Sequence, residues 1–193
     1  MSDDISSQLS VMKDLLTPEK LASLSPIQRD EVIDLIQALE TSVVREKSHD
    51  EFLVFCKAVW PEFIEGGHHR KMAAAFERVA SGECKRLMIN MPPRMGKSQL
   101  ASWLLPAWIV GRMPSKKIIM ASHTLELAVR FGRMVRNLIK SDEYKKVFPN
   151  AGLTADSKAA GRFDISGGGE YFSVGVGGSV TGRGGDIVII DDP

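Results

Sequence analysis

Residues Met91-Pro92-Pro93-Arg94-Met95-Gly96-Lys97-Ser98 place a glycine, a lysine and a hydroxyl side by side. That combination suits a phosphate-binding loop. In the pattern G-x-x-x-x-G-K-[S/T], backbone N–H groups cradle phosphates, the lysine reaches the β- and γ-phosphates and the hydroxyl meets Mg²⁺. Gly96 removes the Cβ that would hold the backbone away from the phosphates. Pro92, Pro93, Arg94, Met95, Gly96, Lys97, Ser98 and Gln99 are thus the candidate ATP-binding residues, with Ser98 also a candidate Mg²⁺ ligand. Met91 departs from the pattern, standing where the first glycine is expected. A lone Gly-Lys-Ser also fits a solvated turn, so the flanking segments decide. Residues 86–91 form a short apolar run with the length of a buried strand. Residues 98–110 are apolar and mostly helix-forming, with Pro106 expected to bend or end the helix. Strand, loop and helix in that order aim the positive end of a helix dipole at the same phosphates.

A second motif closes the chain. Ile187-Val188-Ile189-Ile190 runs into Asp191-Asp192-Pro193. Four β-branched residues in a row suit a strand buried on both faces. A carboxylate at its C-terminal end lies where open α/β sheets bind ligands. Asp191 fits the Walker B role of holding Mg²⁺. Asp192 then stands where a general base orients the attacking water. Alone, the segment also fits a buried strand followed by a turn; about 90 residues after a phosphate loop, the catalytic reading gains.

Together these segments resemble the ATPase domain of the large terminase subunit of tailed bacteriophages. The resemblance rests on Pro-Pro-Arg in the loop, on Lys117-Ile118-Ile119-Met120-Ala121-Ser122-His123-Thr124, and on Thr181-Gly182-Arg183-Gly184-Gly185-Asp186 leading into the terminal carboxylates. It spans roughly residues 50–193, and within that family the missing first glycine is ordinary. It implies an α/β fold: an ASCE-type P-loop NTPase core with a parallel sheet (residues 49–193) behind a helical N-terminal extension (residues 1–48). It implies a motor that uses ATP and Mg²⁺ to drive double-stranded viral DNA into a procapsid. The expected partners are the DNA, the portal protein, the small terminase subunit and further copies in a ring, with no membrane; the expected location is the host cytoplasm. A helicase-like nucleic-acid-remodelling ATPase, or an inactive terminase fragment, are the alternatives.

The expected chemistry is hydrolysis with Lys97, Asp192, Arg94 and Arg183 as catalytic residues and Ser98 and Asp191 on the metal. Either Arg94, from within the loop, or Arg183, from a glycine-rich segment, is the expected arginine finger. Many related ATPases carry glutamate where Asp192 stands. The strand that normally follows the Walker B strand and senses γ-phosphate, and the nuclease half of a terminase, both lie beyond what residues 1–193 contain, so a truncated ATPase is expected.

Composition bounds these readings. Hydrophobic residues make up 44% and charged residues 25%, as in soluble globular chains. No apolar stretch approaches the roughly 18 residues of a membrane span. The acidic start Met1-Ser2-Asp3-Asp4 argues against a secretory signal. Cys56 and Cys84 lack metal-type spacing and read as reduced, structural thiols. The net charge of +1 divides into −5 over residues 1–50 and +6 over residues 51–193. A basic body fits contact with nucleotide or nucleic-acid phosphates.

The remaining segments are positioning elements. Thr17-Pro18 and Ser25-Pro26 read as helix starts, and Ser25 with Gln28 as a capping box. Val32, Leu35, Ile36, Leu39 and Val43 form a helical stripe that packs on the core or, less favoured, on another subunit. A helix over 51–59 ends at Trp60-Pro61, and His68-His69 precede a helix over 70–80. The pair either stacks on a base or forms a polar helix start. Lys116–Ser122 reads as a strand, with Thr124 capping a helix whose apolar face holds Leu127, Phe131, Met134, Val135 and Leu138. Arg130, Arg133 and Arg136 on that helix form a solvated face or, less favoured, a DNA-facing stripe. Phe163–Val174 reads as a hairpin turning at Gly167-Gly168-Gly169.

Overall fold

The computed structural model describes residues 7, 10–11, 17–155 and 159–193. The acidic start and residues 8–9 and 12–16 of the N-terminal extension lie outside the described residues.

Two helices open the described chain, α1 (Pro18–Ser23) and α2 (Pro26–Asp50). Ser25 caps α2 in the expected box: its hydroxyl accepts from the Gln28 N–H while the Gln28 side chain accepts from the Ser25 N–H. Helices α3 (Phe52–Val59) and α4 (Gly67–Ala80) follow. Beyond the loop at 92–96 come a π-helical segment, Gln99–Leu104, and α5 (Leu105–Arg112). Strand β1 (Lys117–Ser122) leads to α6 (Leu125–Lys140), capped by Thr124, and to the short α7 (Asp142–Val147). The chain ends in β2 (Arg162–Asp164), β3 (Glu170–Gly175) and β4 (Ile187–Asp191).

The class is α/β. The sheet order is β2-β3-β1-β4, with β1 parallel to both β3 and β4, and β2 antiparallel to β3. The expected hairpin is the β2–β3 pair. Side chains alternate between two faces along each strand. On one face Ile118 and Met120 of β1, Tyr171 of β3, and Ile187 and Ile189 of β4 join the main apolar core built on α3–α6. Trp108 is buried there, its indole N–H donating to the Ser48 carbonyl at 2.7 Å and its ring edge-on to Phe52. That bond and the Arg45 Nε–Lys146 carbonyl contact dock the second half of α2 onto the body. The second half of α2 is thus docked, while along the stripe Val32, Ile36, Leu39 and Val43 are partly buried and Leu35 is exposed.

The opposite face carries Ile119, Phe172, Val174, Val188 and Ile190, none of which belongs to the main core. The glycine-rich segment 175–186 lies over part of it. A Cβ at Gly185 would stand 2.8 Å from the Ile119 side chain, and one at Gly178 2.7 Å from that of Val174. Val188 and Ile190 remain open, at 56% and 63% exposed. The expectation of a strand buried on both faces therefore fails for β4. Parallel strands normally have both faces covered; β4 is a sheet edge covered on one.

Residues 86–91 are not a strand, contrary to the sequence expectation. The segment is irregular and pairs with no strand. Ile89 and Met91 still turn inward onto the core, while Met88 is 84% exposed. Apolar character without a ladder partner gives strand-like alternation but no strand. Pro106 also behaves differently from expectation, since the helix runs through it to Arg112. The turn before it widens instead, with the Leu105 N–H reaching Leu100 in an i→i−5 bond. A residue without an N–H fits a helix best within the first turn of a new segment, and Pro106 stands there in α5.

Both ends of β4 are clasped to β1. At its start the Asp186 carboxylate accepts from the Lys117 N–H at 2.8 Å and from Lys116 Nζ at 3.0 Å. At its end Ser122 Oγ donates to the Asp191 carbonyl at 2.9 Å and the His123 N–H to that of Asp192 at 3.2 Å. The Lys117 amide, then Lys116, hold the Asp186 carboxyl below its ordinary range. A depressed carboxylate stabilises the fold fully above its unfolded value and loses that contribution as pH falls through the folded one. Asp186→Asn is expected to cost about 1 kcal/mol or less at pH 7, since solvent screens the site. The cost should shrink as pH falls from 7 through the depressed folded value, where the wild-type carboxyl takes up its proton. Urea denaturation across that acid range checks this.

Candidate functional site

The loop 92–96 and the end of β4 meet, although 95 residues separate Lys97 from Asp192. The Lys97 ammonium hydrogen-bonds the Asp192 carboxylate and lies 3.6 Å from that of Asp191. Asp191 is buried at 5% exposure, because register pairs it with Ser122 on the helix-covered face. The Asp192 side chain is 70% exposed. Its bond to Lys97 is the main force holding the lysine pKa above its ordinary value, with Asp191 adding to it and partial burial opposing it. Lys97 is therefore charged throughout the physiological range.

The loop has the backbone needed for close approach to an anion. Gly96 has φ +80° and Arg94 φ +65°. For arginine that left-handed conformation costs energy, which fits a constrained functional loop. Among the described residues, no backbone hydrogen bond uses the N–H groups of Arg94, Met95 or Gly96. Helix begins at Lys97, and its free first-turn N–H groups add to those of the loop. The widened Gln99–Leu104 turn follows directly, as π-turns often do at functional sites. Pro92, Pro93, Arg94 and Met95 are exposed, and Ser98 is half-buried at the helix start.

These residues suit a phosphate chain with Mg²⁺. Mg²⁺ takes one or two carboxylates, retains water and completes its octahedron with substrate oxygens. Asp191 supplies the buried carboxylate, and Ser98 is the hydroxyl next to Lys97. Among the described residues no group of three or more His, Cys, Asp or Glu is arranged to hold a metal by itself.

The site residues divide on Arg183. The structure brings together Lys97, Asp191 and Asp192, with Arg94, Ser98 and Gln99 on adjoining backbone. Arg183 lies elsewhere. Its guanidinium stacks on Phe172 at 4.0 Å and pairs with Glu170 at 2.9 Å. Phe172 belongs to the face away from the helices, and Glu170 stands at the start of β3, beside Lys117. Asp191 pairs with Ser122, five residues further along β1, or about 16 Å at strand rise.

Sequence reasoning gave two contributors other roles. Ser122, which ties β1 to Asp191, looked like one more strand residue. His69 touches the loop from below, where a Cβ on Gly96 would lie 2.9 Å from its Nε2. The adjacent pair His68-His69 was the only signal for it. Arg130 and Arg133 are exposed on α6, as a solvated or phosphate-facing stripe requires.

No protein-family model, curated protein or solved structure matches the chain. Among the described residues, no helix is long and apolar enough to cross a membrane.

Removing the Lys97 charge leaves the buried Asp191 carboxylate without its cation. Lys97→Met is expected to destabilise the nucleotide-free protein by about 1–3 kcal/mol. Adding Asp191→Asn should recover at least half of that, because the stranded charge is gone. Chemical denaturation of the single and double variants measures both.

Proposed function

We propose that the chain is the ATPase portion of a viral DNA-packaging motor, a P-loop NTPase core of the large-terminase type. The observation that carries the reading is the meeting of Lys97 with Asp191 and Asp192. A Gly-Lys-Ser turn and a strand-ending carboxylate pair converge as phosphate-loop and Walker B residues must.

Mg²⁺, when bound, would neutralise charge that builds on the phosphates. The chain's own groups do the rest. Lys97 exchanges its carboxylate partners for phosphate oxygens. Amides of the loop and first helical turn orient those oxygens, Ser98 and Asp191 would hold the metal, and Asp192, released from Lys97, accepts a hydrogen bond from the attacking water. Arg94 stands on the loop and is the arginine available within the subunit. Arg183 faces away from this site and serves, if at all, a neighbouring subunit. Double-stranded DNA, a portal protein, a small terminase subunit and further copies of the chain are the partners this reading requires, in the host cytoplasm.

The test is phosphate release by the assembled motor with DNA present. Lys97→Ala abolishes it, and Arg94→Ala lowers it by about 10³-fold if that residue is the finger. Mixing Arg183→Ala with Lys97→Ala subunits restores part of the activity only if Arg183 works in trans. Undiminished hydrolysis with Lys97→Ala would remove this site from the reaction.

A further inference from the structure

The loop rests on a residue that the hydrolytic reading leaves unused. His69, in the first turn of α4, holds the N-terminus of its own helix: its Nδ1 accepts the Gly66 N–H at 3.0 Å. The other edge of the ring lies beneath the loop, where a Cβ on Gly96 would stand 2.9 Å from Nε2, and the Met95 and Ile64 backbones act on the ring. Any side chain on Gly96 would strike the ring. Phe63 packs against the imidazole at a centroid distance of 5.0 Å, and His68 at 3.8 Å.

We propose that His69 is a positioning residue for the phosphate loop, bracing the Met95–Gly96 turn against the start of α4 in the conformation that accepts phosphates. The proposal rests on the phosphate-loop reading and adds a residue to it. A neutral imidazole with its proton on Nε2 can face the Met95 carbonyl while Nδ1 accepts from Gly66. An imidazolium has no acceptor left for the Gly66 N–H, so protonation breaks one side of the brace.

Burial, followed by the neighbouring His68, pushes the His69 pKa below its ordinary value, so the neutral form prevails at pH 7. The groups facing the ring are His68 on α4 and Glu65 in the preceding turn, with only backbone from the loop. Glu65 is itself held by Lys57 at 2.6 Å and by Arg70.

The experiment is equilibrium binding of Mg-ATP to the full chain between pH 5 and pH 8, for wild type, His69→Ala and His69→Gln, with far-UV spectra confirming fold at each pH. At pH 7.5, His69→Ala is expected to weaken binding about tenfold, the scale of one lost buried hydrogen bond. His69→Gln, whose amide still donates toward Met95, should recover most of it. Wild-type affinity should drop toward the acid end of that range, below the ordinary imidazole value, and His69→Gln should lack that drop. Alanine binding as tightly as wild type, or glutamine showing the wild-type pH profile, overturns the positioning role. No binding by wild type at any pH instead removes the phosphate-loop reading, and this inference with it.

Discussion

The register between β1 and β4 is the constraint on which the site depends. Side chains alternate along a strand, so a slip of one residue would turn Asp191 to the open face and bring Ile190 toward Lys97. Asp186 fixes the start of β4 and Ser122 its end. Between those clasps, Ile187 and Ile189 are committed to the core while Val188 and Ile190 face outward. Asp191 reaches Lys97 because the four apolar residues before it, Ile187, Val188, Ile189 and Ile190, have already been sorted between the two faces.

The same register explains the electrostatics. Asp191 is buried beside a lysine and Asp192, the next residue, turns into solvent at φ +46°. One lysine therefore meets two carboxylates of unlike exposure. A phosphate chain competes for Lys97 most easily with the exposed partner, whose charge water stabilises well. Asp191 then keeps its place in the fold while Asp192 is set free, the division that the proposed metal ligand and water-orienting base would require. His69 supports the loop side of the same arrangement and the widened turn at Gln99–Leu104 carries the chain away from it.

Much of this was legible in the sequence because local chemistry dictated it. Ser25 and Thr124 cap helices as their types require, Gly167–Gly169 turns a hairpin, and β1 and β4 are apolar runs ending in polar residues. The loop and the two aspartates were found from residue type and spacing. Residues 86–91 misled because apolar character records burial tendency, whereas a strand also needs a neighbour for its backbone. The place of Arg183 was not legible because it follows from Phe172 and Glu170, partners that only tertiary structure brings to it. His69 was hidden for the same reason, since its meaning lies in contact with a glycine 27 positions away.

The most direct measurement is titration calorimetry of the full chain with Mg-ATP and, separately, with adenosine. Phosphate recognition by Lys97 and the loop amides predicts saturable binding of Mg-ATP, at least about a hundredfold tighter than adenosine, equivalent to roughly 2.7 kcal/mol. Equal affinity for the two, or heat from neither, would contradict the assignment of this site to a nucleotide triphosphate.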